Sequence, residues 1–306
     1  MKIMMIAPRS VTGHIVNQSP FRFDYSFWNF FLPLISLGNE VTFFDTQIKR
    51  KQDFDSEFDA FKPDLLFCIM TGNSNVSPGE PWDQIQKITQ AGTCKTFNWY
   101  CDDTWRFSDF SSKTCHMFHF CSTTEKNHVE KYKDIGYENI RQTNWHSNPD
   151  LYSSVHCRKD KLLSFIGCLN NDRVRMLSLL NSNGIPVSRI DAASFEDMVY
   201  MYSSSLAGIN FTKNAADNRT QMKARVFEVP ATRSLLITEY CDDLESYFDL
   251  EREIVTFKSD EEMVEKVKWV CNNQQKAFEI GLAGHKRYLK DHTSQVRLKT
   301  LLGSLT

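Results

Sequence analysis

Polar side chains of the kind that carry chemistry fall at a few marked places in this 306-residue sequence. Arg225 and Glu228 stand three positions apart in Met222-Lys-Ala-Arg-Val-Phe-Glu-Val-Pro230, so on a helix they share one face. Gly167 closes an apolar run and leads into Cys-Leu-Asn-Asn-Asp-Arg173, a loop that opens onto a helix. A helix N-terminus attracts an anion, and Arg173 in its first turn adds a planar cation able to grip a phosphate. The same letters also read as an Asn N-cap with Arg173 on a solvated face. Asp102 and Asp103 follow another apolar run, and adjacent carboxylates at a strand end are costly unless solvated or employed. Capping the next turn at Thr104 and Trp105 is the competing use. His14 lies in the loop after the first apolar run, and Lys213 in the loop after a later one, where lysines are usually solvated. Arg22, Asp24 and Tyr25 open the first long amphipathic stretch, where a carboxylate also suits the helix dipole.

Such loops need strands to position them. Short apolar runs alternate with longer amphipathic ones along the whole chain, the mark of parallel α/β units. Residues 3–7, 41–44, 63–70, 95–100, 117–122 and 139–145 read as strands, with helices over 21–37, 81–91 and 125–135. A polar connector spans 147–161. Strands at 162–167, 187–190, 206–211, 235–240 and 254–257 then alternate with helices at 172–182, 195–202 and 221–229, and two long helices begin at Asp260 and Gln274. The expected fold class is α/β: two Rossmann-like doubly wound domains, 1–150 and 151–306, facing a cleft, with the final helix free to cross back to the first domain. Open α/β sheets bind ligands at the carboxyl ends of their strands, so function belongs in the post-strand loops.

Composition excludes several classes. With 41% hydrophobic and 24% charged residues the chain is globular, and 36 basic against 38 acidic residues leave a net charge of −2. That balance supplies no global field for nucleic acid or an anionic membrane. The nine cysteines are odd in number and form no CxxC pair, which disfavours a disulfide framework or a zinc site; Cys101, Cys115, Cys121, His116 and His119 read as a strand with buried sulfur. Asp53-Phe-Asp55 has the DxD spacing of a metal site but sits in a polar segment after Lys49-Arg-Lys51, as a solvated helix face would. No stretch is long and apolar enough for a membrane span, and a cytoplasmic protein with reduced cysteines is expected.

The stretch 222–239 followed by Asp242-Asp-Leu-Glu245 resembles the C-terminal domain of GT-B glycosyltransferases, and within them the CgeB-like (spore maturation protein) group, where a helix reading Arg-Val-Phe-Glu precedes an apolar strand and an Asp-Leu-Glu segment. The likeness extends through Glu253-Ile-Val-Thr-Phe257 to Ala283-Gly-His-Lys-Arg-Tyr288 and closes at His292 and Thr293. It reaches the first domain only through Trp99-Tyr-Cys-Asp102-Asp103. It implies that a nucleotide sugar (UDP, GDP or dTDP) binds the second domain and a glycan, protein or small-molecule acceptor the first. Gly167, Arg173, Lys213, Arg225 and Glu228 would form the donor side, with Glu228 accepting hydrogen bonds from the ribose hydroxyls. Arg173 and Arg225 would offset the departing diphosphate without a metal or other cofactor. The other use for Glu228 is that of an ordinary exposed helix glutamate.

Two positions depart from that pattern. Many retaining members carry a second glutamate eight positions before the ribose-binding one, where this chain has Thr220, and the small residue common after the helix is replaced in Ala231-Thr-Arg233. Both stereochemical courses stay open. Inversion needs a general base in the first domain, for which Asp102, Asp103 and His14 are the candidates, with Arg22, Asp24 and Tyr25 lining the acceptor side. A non-catalytic module that binds a nucleotide or sugar, and an enzyme acting on modified nucleic acid, are the alternatives.

Overall fold

The structure is a computed structural model; it describes residues 1–14, 20–153, 155–190, 194–214 and 219–305, with 11–14 and 20–23 described through the backbone alone. The chain separates into two compact units. One comprises Met1–Val11, Asp24–Asn144 and Ser294–Thr306; the other comprises Thr12–Phe23 and Trp145–Thr293.

The strands up to residue 142 are β1 (Lys2–Ala7), β2 (Val11–His14), β3 (Pro20–Phe23), β4 (Glu40–Asp45), β5 (Leu65–Cys68), β6 (Lys95–Trp99), β7 (Phe120–Thr123) and β8 (Ile140–Gln142). Six of them form the sheet of the first unit in the order β4-β1-β5-β6-β7-β8, every pairing parallel. A parallel sheet covered on both faces demands strands that are apolar throughout. Leu65-Leu-Phe-Cys68 meets that demand, and all four residues are buried. From β1 the chain goes first to one neighbour, β4, and then to the other, β5. The strand order therefore reverses between β1 and β5, and the crevice outside their carboxyl ends is where such sheets hold ligands.

The second unit repeats this topology with β9 (Lys161–Ile166), β10 (Ser188–Ile190), β11 (Ser205–Asn210), β12 (Leu235–Glu239) and β13 (Val255–Phe257), in the order β10-β9-β11-β12-β13, again all parallel. Its reversal point lies between β9 and β11. Leu163, Phe165, Ile209, Ile237, Val255 and Val267 meet in its core, each buried side chain contributing about 2 kcal/mol. At Gly281 in the helix Gln274–Asp291 a Cβ would come within 2.8 Å of the Leu235 amide nitrogen, so only glycine lets this helix lie so close to β12.

Several elements differ from the sequence reading for visible reasons. The expected helix over 21–37 begins later, because Pro20–Phe23 pairs with Val11–His14 in a two-stranded sheet, and its middle is a π-helical turn at Phe27–Phe31. The connector 147–161 contains a short helix, Pro149–Tyr152, capped by the Asn148 side chain and begun by a proline at N1. The helix expected over 221–229 runs Arg225–Ala231: Gln221 donates its amide to Thr212 and Thr220 bridges Lys213, so the chain runs back along the end of β11 before helix can start. The strand expected over 117–122 is Phe120–Thr123, preceded by a 3-10 turn at Cys115–Met117, and Cys115 and Cys121 are buried in the core of the first unit. Asp53, of the DxD spacing, pairs with Arg50 at 3.0 Å just ahead of the helix Phe54–Phe61. No described helix is long and apolar enough to cross a membrane.

Candidate functional site

In the second unit the residues singled out by the sequence converge on the β9/β11 reversal. Gly167 follows β9 with φ +151, a conformation that side chains rarely adopt. A Cβ there would lie 3.1 Å from the Arg225 guanidinium, so the absent side chain leaves room for it. Arg225, at the start of its helix, is half-buried and donates Nε to the Ile166 carbonyl over 2.8 Å. Asn170 caps the helix Asn171–Ser182 by accepting the Arg173 amide at 2.9 Å. The Arg173 side chain does not run out along a solvated face: it is half-buried, and one of its terminal nitrogens donates to the Cys168 carbonyl over 2.6 Å. Burial, and then the charge of Arg225 beside it, hold the Arg173 guanidinium below its ordinary pKa. Its Nε is buried without a hydrogen bond, and neither arginine forms a salt bridge among the described residues.

Glu228 lies on the same short helix and is only 2% exposed. It is not an exposed helix glutamate. Its Oε1 accepts the hydroxyl of Tyr152 at 2.9 Å, and burial pushes its carboxyl above the usual range. Tyr152, itself fully buried, meets Phe195 edge to face at 5.4 Å. The phenol of Tyr202 is buried too and feels the charges of Arg225, Glu228 and Arg173; its contact with the Arg225 guanidinium falls short of ordinary hydrogen-bond geometry, and it has no other hydrogen bond among the described residues. Lys213 turns toward Glu239, Nζ to Oε1 at 3.9 Å, while the other oxygen of Glu239 accepts the Thr212 amide at 2.9 Å and hydroxyl at 3.0 Å.

In the first unit, Asp102 and Asp103 do different things. Asp103 is fully buried; its carboxylate accepts hydrogen bonds from Ser111, Thr123 and Tyr132, the last at 2.8 Å, and burial raises its pKa. It braces the fold from inside and does not face the space above the strand, which corrects the expectation that it stands beside Asp102 as a base. Asp102 is half-buried and lines a small cleft with Met70, Trp99, Tyr100 and Arg106. Asp24 binds Arg9, Nε to Oδ2 at 3.1 Å, and also Ser10, so it fixes the segment that leaves β1. Tyr25 is buried and contacts Phe30 edge to face at 6.1 Å, a core position and not an acceptor-facing one. His14 and Arg22 belong to the two-stranded sheet; their side chains lie outside the described residues.

The glycosyl transferase-like family model matches residues 170–303, somewhat less than half of the chain. Solved structures match nearly all of it. A sucrose-phosphate synthase from Thermosynechococcus elongatus aligns over 99% of this chain and 98% of its own, with TM-score 0.62 and 9% identity. Anabaena HepE in complex with UDP and glucose aligns over 100% and 99%, with TM-score 0.63 and 9% identity. The fold is GT-B. A glycosyltransferase from Rickettsia africae shares it over 99% of this chain and 97% of its own, at TM-score 0.62 and 9% identity. No curated protein matches the sequence.

Within this GT-B chain the family match takes in Arg173, Lys213, Arg225 and Glu228 and begins just after Gly167. Sequence reasoning missed Tyr152, Tyr202 and Glu239. Glu239 had a signal, a carboxylate at the end of the apolar run 235–238, but neither tyrosine did: each reaches the site from an element far away in sequence.

Proposed function

We propose that the chain is a metal-independent glycosyltransferase, of the CgeB-like group, that moves a sugar from a nucleotide-sugar donor to an acceptor hydroxyl. The observation that carries this reading is the pairing of Arg173 with Arg225 at the β9/β11 reversal. Arg173 feels the like charge of Arg225, while Arg225, against the cost of its burial, is held above its ordinary pKa by Tyr202 and Glu228; neither forms a salt bridge among the described residues, and a diphosphate is an anion of the right kind to lie against both. The UDP named for HepE makes UDP the first nucleotide to try.

In this reading Arg173 and Arg225 take up the charge that builds on the diphosphate as the bond to the anomeric carbon breaks. Glu228, held by Tyr152, receives the ribose hydroxyls. With Thr220 in place of a second glutamate, an inverting displacement is open beside a retaining one. An inverting course needs a carboxylate that takes the proton of the acceptor hydroxyl as its oxygen attacks the anomeric carbon and the nucleoside diphosphate leaves with the bonding electrons; Asp102 is the first-unit candidate for that role.

Calorimetric titration with UDP, GDP and dTDP in EDTA, followed by a transfer assay with the matching nucleotide sugar, tests it. One nucleotide should bind without metal, and Glu228→Ala should weaken it about tenfold or more. Unchanged affinity in that variant would sink the ribose assignment. Binding that never yields transfer or hydrolysis would point to a non-catalytic module.

A further inference from the structure

Immediately after β6 the chain makes one helical turn, Asp103–Arg106, whose four side chains divide sharply. Asp103 and Thr104 are buried, whereas Trp105 is 41% exposed. Phe107, next along, turns inward to meet Tyr132 edge to face at 5.0 Å. An indole left in water forgoes the free energy that burial would give, although this turn has an inward side and uses it for other residues.

What surrounds the indole is rigid and charged. The Arg106 guanidinium lies 5.7 Å from the Trp105 ring and 4.1 Å from that of Phe110, and it donates to the Thr71 carbonyl over 2.6 Å. Thr71 and Gly72 are in turn fixed by Glu80, a 7% exposed carboxylate that accepts both their amides, the Thr71 hydroxyl and the Trp82 indole N–H. Gly72, at φ +63, packs on Phe110, where a Cβ would fall 2.3 Å from the ring. The loops after β5 and β6 are thus tied together before any ligand arrives. Half-buried Asp102 stands at the start of the same turn and lines the small cleft beside Arg106.

We propose that Trp105, Asp102 and Arg106 form a carbohydrate subsite, and that the acceptor is therefore a sugar or glycan. A pyranose ring offers a C–H face and a rim of hydroxyls. The exposed indole suits the face; an acceptor-only carboxylate and a donor-only guanidinium suit hydroxyls, which both donate and accept. A lipid would need a broad apolar patch, whereas this turn sets an acid and a base close to the ring in sequence. The assignment deepens the glycosyltransferase reading and rests on it for the word acceptor, but the binding of sugar to this cluster is measurable on its own.

The test is saturation-transfer NMR on the full chain with the methyl glycosides of glucose, galactose, mannose and N-acetylglucosamine, alongside calorimetry with UDP. At least one glycoside should bind. Trp105→Ala should weaken it about tenfold and Trp105→Phe by less, with UDP affinity unchanged, while Trp269→Ala, at an exposed tryptophan of the second unit, should change nothing. No glycoside binding, or binding that Trp105→Ala leaves intact, overturns the proposal. If glycosides bind through Trp105 and UDP does not bind at all, the carbohydrate subsite stands and the donor reading falls.

Discussion

Two buried tyrosines near Glu228 present the same group in opposite situations. The Tyr152 hydroxyl serves a buried carboxylate, and the Tyr202 hydroxyl has no hydrogen bond of ordinary geometry. Removing a donor from a buried carboxylate leaves that group partly unsatisfied, at a cost of about 1.5–3 kcal/mol. Removing a hydroxyl whose polar neighbour, the Arg225 guanidinium, lies outside ordinary hydrogen-bond geometry costs little and lifts a desolvation penalty. Tyr152→Phe should therefore lower the stability to urea by roughly that amount, and Tyr202→Phe should leave it unchanged or raise it. A comparable loss in Tyr202→Phe would show that its hydroxyl is bonded. These roles mark the limit of what the sequence discloses. Arg225 and Glu228 were legible because three-residue spacing puts them on one helical face. Tyr152, 76 positions away, has no local pattern that points at Glu228; only the folded chain joins them.

At the scale of elements, the alternation of apolar runs placed the strands of the two parallel sheets well, since a strand buried on both faces leaves an unbroken apolar run and few other readings; the two-stranded sheet of Val11–His14 and Pro20–Phe23 left no such run. Where elements began was less legible. The helix that carries Arg225 and Glu228 starts four residues later than its periodicity suggests, because backbone bonds from Gln221 and Thr220 to the end of β11 compete with the first helical turn. Its other end depends on Lys159, whose ammonium donates to the Thr232 carbonyl at 3.3 Å and to the Ser234 hydroxyl at 2.7 Å. Burial lowers the Lys159 pKa from the ordinary 10.5 to about 8. Between those values the unfolded chain holds more protons at this residue than the folded one, so its contribution to stability rises with pH from about 8 to 10.5 and is flat on either side. Comparing the wild type with Lys159→Met by urea unfolding at pH 7 and pH 10 isolates it. The wild type should gain on the variant at the higher pH; a constant difference would mean that Lys159 keeps its proton throughout.

For the whole molecule the balance of 36 basic against 38 acidic residues has a bearing on the acceptor. Duplex DNA carries about one charge per 1.7 Å, and proteins that act on it draw most of their affinity from releasing its counterions. A chain of net charge −2 has to gather cations on one face to do the same. The cations of the second unit's site do not form such a face: Arg173 and Arg225 are half-buried and spend hydrogen bonds on backbone carbonyls, and Lys213 leans on Glu239. In the proposed function they meet one compact anion at short range, where the dielectric is low and screening by salt is weak. Affinity for UDP should therefore change little between 50 and 300 mM salt, and a fluorescent DNA duplex should show no rise in anisotropy at 150 mM. A DNA affinity that climbs steeply as salt is lowered, with a slope of several ions, would return nucleic acid to the range of acceptors and argue against a free sugar at Trp105.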